Sequence, residues 1–244
     1  FIFFFFKQKT AYEVSACLEF RRVLFRSIIS LLNSLVKEVD EFYASYEPTK
    51  AGRAIQQFVD DHLSNWYVRL CRRRFWKGDY STDKIAAYQT LYQCLITVAQ
   101  LSSPISPFFM DRLFCDLEGA TAKGKRESVH LTDFPKADGN QIDKDLEEQM
   151  QVAQNISSMV LSLRKKEGIK VRQPLGKIMV PVSNEKFRAQ LKSVEQLILS
   201  EVNVKHLEYL EDSTSVIVKK IKPNFKTLGP KYGKMMKKIV EQFG

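Results

Sequence analysis

The chain has 244 residues, 44% hydrophobic and 27% charged, a normal globular balance with room for one large domain or two ordinary ones. Its net charge of +10 is uneven: residues 28–140 carry 14 basic and 14 acidic side chains, residues 141–244 carry 19 and 12, and residues 1–27 supply the remaining +3. A basic C-terminal half points to a polyanionic partner. Cys17, Cys71, Cys94 and Cys115 form neither a CxxC nor a Cys/His ligand spacing, which argues against a disulfide framework and a zinc site. No apolar run reaches the ~18–20 residues of a membrane span.

Residues 1–27 read as foreign to the rest of the chain. FIFFFF and then KQKTAYEVSACLEFRRVLFRS carry no helical or strand period that joins them to the residues from Ile28 onward. The apolar run mimics the core of a signal peptide, but no basic residue precedes it and no small-residue cleavage site lies closely behind it. The stretch resembles translated sequencing-adaptor text, so a non-native, unstructured leader is expected here. From Ile28 the apolar residues Ile28, Leu31, Leu32, Leu35, Val36, Val39 and Phe42 recur at helical spacing. Glu47-Pro48 breaks that helix, and Thr49 is the expected N-cap of the next, which runs to Trp76 and ends near Gly78.

The end of this second helix, residues 65–76, reads NWYVRLCRRRFW. On a helical wheel Ile55, Val59, Leu63, Trp66, Tyr67, Leu70 and Cys71 share one arc and are expected in the core. Asn65, Arg69, Arg72 and Trp76 lie opposite, and guanidinium groups between an amide and an indole suit phosphates and unstacked bases. A solvated helix face is the competing reading. Ser81, Thr82 and Asp83 offer caps for a third helix, with Ile85, Tyr88, Leu91, Tyr92, Leu95, Ile96 and Val98 facing inward. Pro104 and Pro107 interrupt it, and residues 108–117 can form a short fourth. Long helices with short connections predict a helical bundle over residues 28–140.

Residues 119–140 read as loop, with a brief extended segment at 128–131. A domain boundary is expected near residue 140. Beyond it, residues 143–166 predict a helix with Leu146, Met150, Ala153, Ile156, Val160, Leu161 and Leu163 inside, and Gly168 as its C-cap glycine. Residues 178–182 read as a strand, 185–199 as a helix, 202–210 and 215–221 as strands joined by a turn, and 229–243 as a basic helix. The fold class expected is therefore mainly α: a helical bundle, then a small α/β (α+β) domain over residues 141–244.

Several separated motifs, in order, carry a family resemblance. IISLLNSLVKEV, EPTKAGRAIQQFVDDHLSNWYVRLCRRRFWKG, LSSPISPFFMDRL, SVHLTDFP, LSLRKKEGIKVRQPLGKI and KPNFKTLGPKYGK closely resemble the C-terminal part of isoleucyl-tRNA synthetases. The resemblance runs from Ile28 to about Gly244. It implies a helical anticodon-binding domain followed by a smaller C-terminal domain, from an enzyme that joins isoleucine to its tRNA at the expense of ATP, with magnesium. The HIGH and KMSKS signatures of such enzymes are absent here, as are an editing domain, the usual Asp-Arg-Trp upstream of Ile28 and the C-terminal cysteines with which some relatives bind zinc. The expected assignment is a tRNA-recognition piece, inactive by itself and without a cofactor of its own. Its partners are then isoleucine-accepting tRNA and the catalytic domain of the same protein, in a cytoplasmic monomer that touches no membrane. The alternatives are the same region of a valine or leucine enzyme, or a stand-alone helical RNA-binding or scaffold protein.

The resemblance makes Asn65, Arg69, Arg72 and Trp76 candidates for tRNA contact or for the joint to the catalytic domain. Arg164, Lys165, Lys166, Lys170 and Arg172 surround a glycine turn and form a second candidate patch. Their competing role is a solvated helix end that offsets the macrodipole, or a domain joint. Lys219, Lys220, Lys222, Lys226, Lys231 and Lys234, with Lys237 and Lys238, form a third, where lysines would hold phosphates as point charges. His62, His130 and His206 are isolated in sequence, with His62 read as structural. GATAKG followed by Lys125 looks like a phosphate loop, but Arg126 stands where Ser or Thr is required, so it is rejected. No catalytic set and no metal site can be assembled.

Overall fold

The computed structural model describes residues 11–76, 79–121, 126–182 and 184–210, with side chains from residue 23 onward. The described residues include seven α-helices, one π-helical segment, two short 3-10 turns and two strands. Helix α1 (Ala11–Ala44) is the central element. Its residues Ile28, Leu32, Leu35, Val36 and Val39 are buried, as the helical spacing requires. The helix also passes upstream through Ile28 without a break. Leu24 and Ser27 are buried, and Val23 and Phe25 pack on the same core. The helix assigned to Ala11–Ala44 thus includes part of the segment expected as an unstructured leader. A helix that continues past Ile28 lays the next turn's apolar side chains on the same stripe.

Helix α2 (Pro48–Gln57) starts two residues earlier than a Thr49 cap implies. Pro48 takes the first helical position, where its missing N–H is no loss, and Glu47 stands at the cap without a side-chain bond. The π-helical segment Phe58–Val68 continues it, and α3 (Arg69–Trp76) adjoins without a gap. The i→i+5 bonding of the middle segment turns Phe58 and Leu63 into the core, with Val68 packed against it. An α-helical wheel places Val59 inside and misses Phe58. In the structure Phe58 is buried, and Val59 is half-buried but still packs against the core. Trp66, Tyr67 and Cys71 are buried as expected.

Helix α4 (Thr82–Ser102) is capped by Ser81, whose hydroxyl accepts from the Lys84 N–H. Leu91, Tyr92 and Leu95 pack against the hydrophobic clusters as expected, and the departure from the sequence expectation is confined to the first two turns. Ala87, Cys94, Ile96, Val98, Ala99 and Leu101 are buried, while Ile85 and Tyr88 are exposed. The contact is made by small residues: with Ala87 at the interface, the Tyr67 hydroxyl donates to the Ala87 carbonyl at 2.9 Å. Helix α5 (Pro107–Gly119) builds a satellite core with α4, in which Phe114 and Val129 meet Ile96 and Ala99. Residues Val129–Leu131 form a 3-10 turn, not an extended segment.

Helix α6 (Lys144–Lys166) begins at Asp143, whose carboxylate accepts from the Leu146 N–H. Polar residues of α1 hold this start: Ser30 and Ser34 donate to Glu147 at 2.6 and 2.7 Å. The Ser30 hydroxyl also accepts from the Asp143 N–H at 2.8 Å, and Asn33 accepts from the Asp138 N–H at 2.8 Å. Leu146, Met150, Ala153 and Ile156 enter the core as expected, but Leu163 is exposed. One hydrophobic cluster runs from α1 through α6 to the elements beyond, across the position of the expected boundary at residue 140. Strand β1 (Leu175–Pro181), helix α7 (Glu185–Val202) and strand β2 (Val204–Leu210) form a βαβ unit. The strands pair in parallel, with Ile178 opposite Leu207. The strand at 215–221 and the helix at 229–243 lie outside the described residues.

Candidate nucleic-acid interface

The outward side of α3 carries the first candidate patch. Asn65, Arg69, Arg72 and Trp76 are all exposed, the Trp76 ring at 78%. They are not equivalent. Arg69 forms an ion pair with Glu201 at the end of α7, so this guanidinium joins the bundle to the βαβ unit. Burial raises the Glu201 carboxyl above its usual range even though Arg69 opposes the shift. Arg72 has no hydrogen-bond or ion-pair partner among the described residues. The same holds for Arg73, exposed in the last turn of α3, which a helical wheel does not single out. Its signal is nevertheless present: in RRR, the two residues next to the helix's buried side cannot both turn inward. Arg74 is the one that does. Its Nε pairs with Asp83 at 3.2 Å, and its guanidinium lies 5.5 Å from the Phe25 ring centre. Tyr80, 79% exposed with Lys84 4.8 Å from its ring centre, adds a second outward aromatic.

The second patch is a tight turn between α6 and β1. Glycine is required there: Gly168 adopts φ 67°, its N–H donates to the Lys165 carbonyl, and the Ile169 N–H donates to the Arg164 carbonyl. Lys165, Lys166, Lys170 and Arg172 are exposed around it. Arg164 is not. It is 2% exposed, and its guanidinium donates to the carbonyls of Lys170, Gln173 and Asn203 at 3.0–3.1 Å. Its position one turn before Gly168 folds it back under the loop, with its guanidinium turned to backbone carbonyls and not to the surface. Asn203, which sequence reasoning misses, caps α7 in the left-handed conformation and also reaches the loop. An Asn between a helical run and a strand signals such a cap.

The third patch, Lys219, Lys220, Lys222, Lys226, Lys231 and Lys234, lies outside the described residues. No group of three or more His, Cys, Asp or Glu side chains suited to a metal is present among the described residues. His62 is half-buried beside Phe58, and burial lowers its pKa, as suits a structural histidine. Cys71 and Cys94 are buried free thiols, and burial pushes Cys94 up to about 12. Arg126 seals a loop by pairing with the buried Glu118 at 2.5 Å, with its guanidinium over Phe114. No helix among the described residues is long and apolar enough to cross a membrane.

The fold is a mainly helical bundle with a small parallel sheet, and it presents an arginine- and tryptophan-bearing helix and a basic turn at its surface. The family described as the anticodon-binding domain of tRNA ligases matches residues 26–179, and the chain belongs to it. Among characterised proteins it is similar to the isoleucine–tRNA ligase of Cytophaga hutchinsonii, with 58% identity over 88% of this chain and 19% of that protein. The Bacteroides thetaiotaomicron enzyme is 56% identical over 88% and 18%, and the Thermus thermophilus enzyme 38% over 88% and 21%. The chain thus spans about a fifth of the length of the curated relatives it matches.

Proposed function

We propose that the chain is the tRNA-recognition region of an isoleucine–tRNA ligase. It binds the anticodon arm of isoleucine-accepting tRNA and passes that engagement through rigid helices to a catalytic domain. Isoleucine activation, with ATP and magnesium, belongs to that catalytic domain in a cytoplasmic, monomeric parent. Residues 1–27 are, on this reading, foreign to the parent. The observation that carries the proposal is the outward edge of α3. Two guanidinium groups, Arg72 and Arg73, and the 78% exposed Trp76 stand together without partners among the described residues, on a domain of the anticodon-binding family. Guanidiniums position phosphates, and an exposed indole receives a splayed base.

The test is a pair of binding titrations with the full chain, one with isoleucine tRNA and one with an unrelated tRNA. Stacking on an aromatic is worth ~1–3 kcal/mol per base. Trp76→Ala is expected to lower affinity for isoleucine tRNA by about that much and to leave circular dichroism unchanged. Equal affinity of the variant and the parent for both tRNAs would remove Trp76 from the interface.

A further inference from the structure

The turn between α6 and β1 is built more elaborately than a solvated loop requires. Four consecutive carbonyls, of Lys170, Val171, Arg172 and Gln173, are each claimed by a side chain of another element. Arg164 donates to Lys170 and Gln173 at 3.1 and 3.0 Å. Asn203 donates to Val171 and Arg172 at 2.9 and 3.1 Å. The two clamps are themselves joined, because Arg164 also donates to the Asn203 carbonyl at 3.0 Å. Asn203 reaches the turn because its backbone is left-handed, φ 52°, where Asn is among the tolerated residues.

The clamps also fix the other side of the turn. In a trans peptide the N–H points opposite to the preceding carbonyl. With the carbonyls of Lys170 and Val171 held by the clamps, the N–H groups of Val171 and Arg172 point away from them. Neither meets an acceptor among the described residues. The side chains of Lys170 and Arg172 are exposed at the same place. Successive free backbone N–H groups flanked by cations form a concavity for an anion.

The geometry points to a preorganised seat for one RNA phosphate at Lys170–Arg172, with Arg164 and Asn203 as its positioning residues. This inference rests on the tRNA-recognition reading and adds which group of the RNA is held and what holds the seat open. Lys170 and Arg172 supply charge, and the two N–H groups supply direction. The buried guanidinium and the amide fix the backbone before RNA arrives, so the turn loses little freedom on binding.

A double-mutant cycle on the full chain tests it, with isoleucine tRNA as probe over a range of salt. Asn203→Gly keeps the left-handed backbone and removes the amide. Asn203→Asp keeps the shape and places a carboxylate, which cannot donate, against the turn carbonyls. Both are expected to weaken tRNA binding and to flatten the log–log salt dependence by about 0.7–0.9, the value of one phosphate contact. Neither is expected to weaken it further once Lys170→Ala and Arg172→Ala are present. Two results overturn the inference: parent-like affinity in both Asn203 variants, or losses that simply add to those of the Lys170/Arg172 pair. If the pair itself leaves affinity unchanged while the chain still binds tRNA, the phosphate lies elsewhere and only the seat is refuted. If the parent chain binds no tRNA at any salt, the recognition reading fails and takes the seat with it. Circular dichroism and thermal unfolding show whether each variant is folded at the temperature of the titration.

Discussion

Two glutamates show how the same side chain is tuned in opposite directions. Burial works against the charge of Glu147, but hydrogen bonds from Ser30, Lys144 and Ser34 outweigh it, and its carboxyl sits below the usual range. Glu201 is raised by burial, which its Arg69 partner does not overcome. The signs come from linkage. A depressed carboxyl lends stability that is present above its unfolded value, about 4.3, and is lost as pH falls through the folded one. A raised carboxyl lends stability at low pH that is lost as pH rises through its folded value. Glu147→Gln should therefore destabilise the chain most at neutral pH, with the gap to the parent closing as acid is added. Glu201→Gln should fall behind the parent least at neutral pH and most in acid, after allowance for the pH-independent loss of its ion pair. Melting temperatures of both variants between pH 3 and 7 check this, and parallel curves for the two would contradict it. Only half of this is legible in the sequence. Asp143 as a helix start and the Lys144 contact can be read locally, whereas the serine partners of Glu147 lie 113 and 117 residues away and the partner of Glu201 across the molecule.

At the scale of elements, periodicity locates nearly every helix but misjudges which face of some is buried. In α4 the large apolar side chains weigh as core on a wheel, yet in its first turns Ala87 is buried while Ile85 and Tyr88 are exposed. Helices approach most closely where side chains are small, so size misleads a wheel drawn from hydrophobicity alone. In the π-helical segment the period itself changes, and no proline or glycine within Phe58–Val68 announces it. The candidate site shows the same pattern. The exposed members of the stripe and of the basic turn are readable from charge, but the burial of Arg164 and the reach of Asn203 depend on a turn that only the packed βαβ unit creates. Helix α1 offers the sharpest test at this scale. Leu24 is 1% exposed and belongs to the main cluster, in a stretch whose sequence looks foreign. Truncating a buried leucine to alanine costs ~2–5 kcal/mol. Leu24→Ala should lower stability by an amount in that range in urea unfolding. A change within ~0.5 kcal/mol, typical of a surface position, would show that the upstream turns of α1 do not pack on this core.

For the whole molecule, the charge is segregated: the bundle sums to zero between residues 28 and 140, and residues 141–244 carry a net +7. A neutral bundle that presents a few directed contacts, joined to a basic region, separates orientation from attraction. Phosphate attraction is sequence-independent and falls steeply with salt, whereas stacking on an indole is nearly indifferent to salt. The two contributions can therefore be separated by ionic strength in one molecule. Neutralising Lys219, Lys220 and Lys222 together should weaken binding to isoleucine tRNA and to an unrelated tRNA alike. The log–log salt slope should shrink by about 0.7–0.9 for each phosphate that is no longer neutralised. The Trp76→Ala variant should keep the parent slope and lose affinity for isoleucine tRNA alone. The measurement is a salt series from low to physiological ionic strength with both tRNAs and both variants. A lysine variant that discriminates between the tRNAs would place sequence readout in the basic region. A Trp76→Ala variant with a flattened slope would mean that the end of α3 works through charge, with Arg72 and Arg73 disturbed by removal of the ring beside them.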